Sequence, residues 1–323
     1  MIITGSFTKN YEDMKIQKFI LTCLITNLLF CFSCKSKVEP RFESETIEEY
    51  VIPFTVTDNY RILLEGVFKD SVYLFMLDNG WAMTTLPRTL FTRYYDIEKL
   101  NMSVSEWNGD AQTCVMPNQI KFANYEFLFD RIGVDDHVLL GKELSFLGGI
   151  IGAELFHRHI IELNFEDSIM IIRSKLPENI CEYMSFDLQN FEHYAYQMDS
   201  LFKQIEISGF YDHKGNAFTG KFWVDLGCPF VVFLKTIREQ TDFNYSKQDT
   251  NTLASFILNN GVIVEDSHLR TGSASGKDIN PELRLKDGML GTPFLANFHV
   301  IFDYPNNKLY LKRNKLTCKF KIL

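Results

Sequence analysis

At 323 residues, 46% of them hydrophobic, the chain is long enough for one large domain or two lobes around a sizeable core. A net charge of −8 leaves no strong basic field to gather phosphates, so nucleic acid is not an expected partner. The 29 Phe and 14 Tyr, against 18 Gly and 9 Pro, favour an aromatic-rich, strand-heavy fold over a disordered one.

Residues 1–13 are polar and mixed. Met14 then opens a segment built like a signal peptide, residues 14–34, with Lys15 and Lys18 ahead of an apolar run over residues 19–32. That run is shorter than the roughly twenty residues of a membrane-spanning helix. Its end, Cys31-Phe32-Ser33-Cys34, resembles a bacterial lipobox, in which the final Cys is lipid-modified after cleavage. It departs from that pattern at Cys31, where Leu is usual, and at the bulky Phe32. An ordinary signal peptide and a retained anchor helix stand as alternatives. The lipobox resemblance implies an exported cell-envelope lipoprotein on the outer membrane, facing periplasm or surface, held to the membrane only through lipid on Cys34. Beyond the export segment, Cys114, Cys181, Cys228 and Cys318 are widely spaced, with no CxxC pair and no zinc-ligand spacing. No metal is expected, and the spacing does not pair the cysteines into disulfides.

Further along, the chain contains itself twice. Phe75-Met76-Leu77-Asp78-Asn79-Gly80 is matched by Phe222-Trp223-Val224-Asp225-Leu226-Gly227. Each is an apolar strand ending in Asp-x-Gly. Gly149-Ile150-Ile151-Gly152 is matched by Gly288-Met289-Leu290-Gly291, and the match runs on without a gap into two closing hairpins. Asn164-Phe165 aligns with Asp303-Tyr304. Pro305-Asn306-Asn307-Lys308 is a strong turn signal, and Glu166-Asp167-Ser168 a weaker one. The first half spans residues 46–175 and the second 204–315, with a less patterned connection over 176–203. Residues 60–68 and 201–210 alternate as the strands that enter each half. Helix candidates are short: residues 236–240 and 253–259.

With these motifs in view, the chain resembles the retropepsin-like proteases, in the duplicated, bilobal form of the pepsin-like aspartic peptidases. It is similar to the exported, often lipid-anchored, aspartyl-protease-like proteins of gut and soil bacteria. The resemblance covers residues 46–315. It implies a mainly β fold of two β-barrel lobes with the site at their interface. It makes Asp78 and Asp225 the catalytic pair and lets Gly80 and Gly227 turn each loop sharply. Ile151-Gly152 and Leu290-Gly291 would form the strand behind each Asp. A flap would come from the middle of the first half, with Trp107-Asn108-Gly109 as its candidate tip. A plain surface hairpin is the alternative for that segment.

Such a site hydrolyses peptide bonds without a cofactor. Two carboxylates about 3 Å apart cannot both ionise easily, so they share a proton. One acts as general base on a water while the other donates to the carbonyl oxygen. The implied partner is a peptide or protein substrate. A duplicated chain holds both halves of the site, so a monomer suffices.

The sequence departs from the usual Asp-Thr-Gly or Asp-Ser-Gly loop. Asn79 can donate and accept and so partly replaces a hydroxyl, whereas Leu226 cannot, which predicts an asymmetric network. Trp81 and Cys228 stand where a small Ala or Ser is common. These departures leave open a second function, a catalytically silent peptide- or protein-binding envelope lipoprotein. A structural all-β lipoprotein without a cleft is a third. Cys228 has no His close in sequence to act as its base, so it is not read as a nucleophile. His157 and His159, an i, i+2 pair on an expected strand, have no third ligand and read as ordinary strand residues.

Overall fold

Strands, some alternating in burial and others buried nearly throughout, build most of the computed structural model, which describes residues 49–100, 102–104, 112–135, 147–190, 202–211, 217–229, 231–233, 254–257, 263–266 and 287–314. The export segment with Cys34, the flap candidates Trp107, Asn108 and Gly109, helix candidate 236–240 and Cys318 lie outside these residues. No helix among the described residues is long and apolar enough to cross a membrane.

The fold is mainly β and contains a closed six-stranded barrel. The chain enters through β1 (Glu49–Val56), then forms β2 (Ile62–Phe68), β3 (Ser71–Leu77) and β4 (Thr85–Leu86). A short helix α1 (Arg88–Phe91) and β5 (Met102–Val104) precede β6 (Gln112–Phe122), β7 (Tyr125–Val134) and β8 (Leu147–Ile151). Hydrogen bonding runs β2 to β3, β3 to β8, β8 to β4, β4 to β7, β7 to β6, and β6 back to β2, which closes the ring. Closure removes the free edges that an open sheet would expose. The β3–β8 and β4–β7 pairs are parallel. The β6–β7 register shifts between Val115 and Asn118, a stretch that includes Pro117, which has no N–H to donate. Alternate residues of β2 and β7 point inward. Phe68, Phe75, Phe122, Phe127 and Phe129 are buried there, with Phe75 and Phe122 edge to face at 5.9 Å.

Beyond the barrel lie helix α2 (Glu154–Arg158), β9 (Ile160–Asn164), β10 (Ile169–Arg173) and β11 (Met184–Asn190). The expected connection over 176–203 thus contains a strand. Then come β12 (Lys203–Tyr211), β13 (Ala217–Asp225), β14 (Val231–Phe233), β15 (Ala254–Ile257), β16 (Ile263–Asp266) and β17 (Gly288–Gly291). Here β12 pairs β13 and β15, β15 pairs β16, β13 pairs β17 in parallel, and β14 pairs β17. The short helix expected over 253–259 is corrected: residues 254–257 are β15, because pairing with β16 satisfies backbone groups that a single helical turn leaves open. Helix α3 (Thr292–Leu295) leads to β18 (Phe298–Asp303) and β19 (Lys308–Arg313).

Two hairpins, β9–β10 and β18–β19, meet side by side. Their inner strands pair from Asn164↔His299 to Ile160↔Asp303. With β1 against β10 and β11 against β19 they make a six-stranded antiparallel sheet. The hairpin turns hold Ser168 and Asn307 at φ of 55° and 53°. Asn tolerates this left-handed conformation better than most residues. Ile161, Leu163, Val300 and Phe302 share one face of the sheet and join the main apolar core. On the other face Glu162 is buried at 3% exposure, its carboxylate held by Arg173 Nε and His299 Nε2. Burial pushes the Glu162 carboxyl up, but these two bonds outweigh it and leave it below its ordinary value.

His157 does not stand on a strand. It lies in α2, and its ring meets Tyr304 at 5.2 Å, while His159 accepts or donates a 2.7 Å bond with Tyr125 Oη. Burial pushes His159 down to about 4, so it is neutral near pH 7. No group of metal-ligating side chains occurs among the described residues.

Phe156 in α2 is fully buried, with Phe302 at 5.3 Å and Tyr304 at 5.6 Å. Phe156→Ala leaves a cavity between α2 and the β18–β19 hairpin and should cost about 3–5 kcal/mol of stability. Urea unfolding measures this, and a loss under about 1 kcal/mol would mean that the contact is not part of the cooperative core.

Candidate functional site

Two loops carry the site, and each begins where an apolar strand ends. β3 delivers Asp78 and β13 ends on Asp225. Behind each runs a parallel strand, with Leu77 opposite Ile151 and Asp225 opposite Gly291. The Asp78 N–H donates to Ile151 O at 2.9 Å. The loops then follow the same course bond for bond. Gly80 N donates to Asp78 Oδ1 at 2.9 Å, and Gly227 N to Asp225 Oδ1 at 2.8 Å. Trp81 N reaches Asp78 O at 3.1 Å, and Cys228 N reaches Asp225 O at 3.2 Å. Ala153 N meets Trp81 O at 2.7 Å, and Thr292 N meets Cys228 O at 3.0 Å.

The loops interlock. A Cβ on Gly80 would fall on the carboxyl group of Asp225, and one on Gly227 would fall on that of Asp78. Both glycines are therefore required by close approach. The two carboxyls hydrogen-bond to each other, and each residue is 8% exposed.

Burial in this site penalises charge, and it raises the pKa of both groups. Asp225 is raised well above the usual carboxylate range, because the charge of Asp78 adds to burial. Asp78 is raised less: Arg61 and the bonds it accepts oppose burial. The pair therefore retains a proton above the usual carboxylate range, and that proton belongs to the two carboxyls together.

Asn79, fully buried, holds the loops together. Its Nδ2 donates to Val224 O at 2.9 Å and to Tyr304 Oη at 2.8 Å, and its Oδ1 accepts from Leu226 N at 2.7 Å. Leu226 offers no side-chain bond in return. The expected asymmetry is real: at the position between Asp and Gly, the amide of Asn79 bonds across the loops and Leu226 does not. Thr292 supports the second loop, its Oγ1 donating to Leu226 O at 2.7 Å.

Trp81 does not stand free. Its indole packs on Leu63, Met76, Leu147 and Ile150, and Nε1 donates to Thr85 Oγ1 at 2.7 Å. Cys228, directly after Gly227, is buried. The structure thus brings Asp78, Asn79, Gly80, Asp225, Leu226 and Gly227 into one constellation, backed by Ile151, Gly152, Leu290 and Gly291.

Three contributors were not singled out from the sequence. Arg61 stands two residues before Leu63, which pairs with Met76, itself two residues before Asp78. The same count in the second half leads to Phe202, so the repeat gives no hint of a cation there. Tyr304 was visible only as an aromatic in the closing hairpin. Glu154, at the start of α2, accepts from Thr84 N, and burial pushes it up to about 7. An acidic residue directly after the Gly152 turn was the available signal.

No family model matches the chain, and no curated protein matches it in sequence.

Gly227→Ala should prevent the loops from closing and should remove the carboxyl–carboxyl bond, because its methyl must displace Asp78. A drop in thermal midpoint accompanied by separate, uncoupled titration of the two Asp checks this. Unchanged coupling would sink the interlocked geometry. Glu154 gives a pH prediction of definite sign. Between its ordinary 4.5 and about 7, the folded state keeps a proton that the unfolded chain has released. Its contribution to stability therefore falls as pH rises through that window. Denaturant titrations should show a shallower decline between these pH values in Glu154→Gln than in the wild type.

Proposed function

We propose that this chain is an aspartic endopeptidase with a duplicated, pepsin-like fold, exported to the cell envelope, whose Asp78–Asp225 pair hydrolyses peptide bonds of peptide or protein substrates. One observation carries the reading: two buried carboxyls share a hydrogen bond, each seated against the glycine of the other's loop. Structural Asp-Gly turns use their carboxylates on nearby backbone N–H groups. Here that role is filled, and the carboxyls still face each other.

The strand pairings support duplication. β12, β13, β17, β14, β15 and β16 repeat the pairings of β2, β3, β8, β4, β6 and β7, apart from an equivalent of β4–β7. β11 serves the second half as β1 serves the first. Each pairs with a closing hairpin at one end and with an entering strand at the other.

The pair shares one proton, and the steps are written with it on Asp225 at the outset. Asp78 takes a proton from a water, whose oxygen bonds to the substrate carbonyl carbon. Asp225 gives its proton to the carbonyl oxygen. The resulting gem-diol collapses as Asp78 passes its proton to the amide nitrogen, the C–N bond breaks and a hydroxyl proton returns to Asp225. The products are a carboxylic acid and an amine, and the pair is restored with one proton.

Asp78→Asn and Asp225→Asn should each lower cleavage of a mixed peptide library by at least about 10²-fold. Equal behaviour of wild type and both variants between about pH 3 and pH 8 would reject the peptidase and leave a peptide-binding protein. Arg61 lowers both carboxyls, so Arg61→Met should move both limbs of the kcat/KM profile to higher pH. A profile that does not move would remove Arg61 from the site's electrostatics.

A further inference from the structure

We propose that Tyr304 is a positioning residue for the aspartic pair: its phenol oxygen takes the second amide hydrogen of Asn79 and so locks the one side chain that ties the two loops together. The inference rests on the dyad reading above, but it concerns a residue outside both loops.

A threonine or serine at position 79 would have one hydrogen to donate and lone pairs to accept with. It could serve Val224 O and Leu226 N and leave nothing over. An asparagine brings two hydrogens on Nδ2. In a fully buried position the extra one needs an acceptor, or its desolvation is uncompensated. Tyr304 Oη supplies that acceptor at 2.8 Å. With the bonds to Val224 O at 2.9 Å and from Leu226 N at 2.7 Å, the amide has one orientation only. A flip would set Nδ2 against the Leu226 N–H and Oδ1 against Val224 O.

The repeat gives an independent comparison within the same chain. Tyr304 aligns with Phe165 in the first hairpin, and Asn79 aligns with Leu226. The loop with a spare amide hydrogen faces a hairpin with a hydroxyl. The loop with leucine has, at the corresponding place, a hairpin residue without one. The polar atoms are present together or absent together.

Tyr304 is itself held firmly. It opens the turn Tyr304–Asn306, which Asp303 caps by accepting from Asn306 N at 3.2 Å. Phe156, His157 and Phe302 surround its ring. Lys203 Nζ lies 5.7 Å from the ring centroid, fixed by Asn190 Oδ1 at 2.6 Å and Asn307 Oδ1 at 2.9 Å. A rigid acceptor orients the amide, and the amide fixes the separation of the carboxyls.

The test is a ¹³Cγ-aspartate NMR titration of the full chain, which needs no substrate. In the wild type Asp78 and Asp225 should titrate as a coupled pair with a high upper step. Tyr304→Phe keeps the ring and removes the acceptor. It should lower that upper step by about one pH unit or more, as the loops loosen and the coupling weakens. Asn79→Thr/Tyr304→Phe should titrate like Asn79→Thr alone, because the hydroxyl has no spare hydrogen to place. Should Tyr304→Phe not fold, the double variant should still fold and titrate as Asn79→Thr does. A Tyr304→Phe protein that melts lower but keeps both steps in place overturns the positioning role while the dyad stands. So does a double variant that is as perturbed as Tyr304→Phe, or that does not fold when Asn79→Thr does. Uncoupled titration in the wild type overturns the dyad itself, and the positioning role with it.

Discussion

Everything at this site depends on a pair of carboxyls that meet out of water. Two like charges in that position repel, and burial disfavours each of them separately. The pair is tolerable only because a proton is retained, and because backbone N–H groups of Gly80 and Gly227 face the oxygens. The surrounding structure has to hold two chain segments at hydrogen-bond distance against that repulsion. The parallel strands β8 and β17 fix each loop from behind, the two glycines remove the atoms that would collide, and Asn79 bridges the loops.

The six-stranded sheet is the larger version of the same constraint. Carboxyls 147 residues apart (225 − 78) stay in register only if the segments behind them do not slide. The β9–β18 pairing joins the two hairpins by a backbone ladder, and the core residues Ile161, Leu163, Val300 and Phe302 bury its inner face. The buried Glu162 on the other face, clamped by Arg173 and His299, ties β9 to β10 and β18. A one-residue slip would turn Glu162 into the apolar core and uncover Ile161. Register and site geometry are thereby linked.

The asymmetry between the halves has chemical consequences. Arg61 has Phe202 as its counterpart, Asn79 has Leu226, and Tyr304 has Phe165. Each polar member acts at the loop or carboxyl pair, and each counterpart has an apolar side chain. The surroundings of the two carboxyls are therefore unequal, with burial raising both and Arg61 opposing that rise in both.

Much of this was legible in the sequence because it is local and repeated. The Asp-x-Gly loops, the apolar-Gly turns, the hairpin at Pro305-Asn306-Asn307 and the entering strands all show as short patterns that occur twice. What failed was equally physical. Residues 253–259 suggested a helix, but pairing with β16 decided for a strand over 254–257. His157 reads as a strand residue in the sequence, yet it winds into α2 with Glu154–Arg158. The strand β11 lies inside the connection expected over 176–203, and its Met184, Phe186 and Leu188 alternate with the exposed Ser185 and Asp187.

The sequence by itself determined which residues are paired, since repetition marks Asp78 and Asp225 without any knowledge of distance. It also determined that the cross-loop network had to be uneven, because leucine cannot form a side-chain hydrogen bond. Only the tertiary structure decided what completes that network. Asn79 reaches Val224, Leu226 and Tyr304, which lie 145, 147 and 225 positions away along the chain, and no local pattern encodes such contacts. The same holds for the influence of Arg61 on both carboxyls. Hydrogen bonds and electrostatic fields depend on separation in space, and only folding brings these residues together.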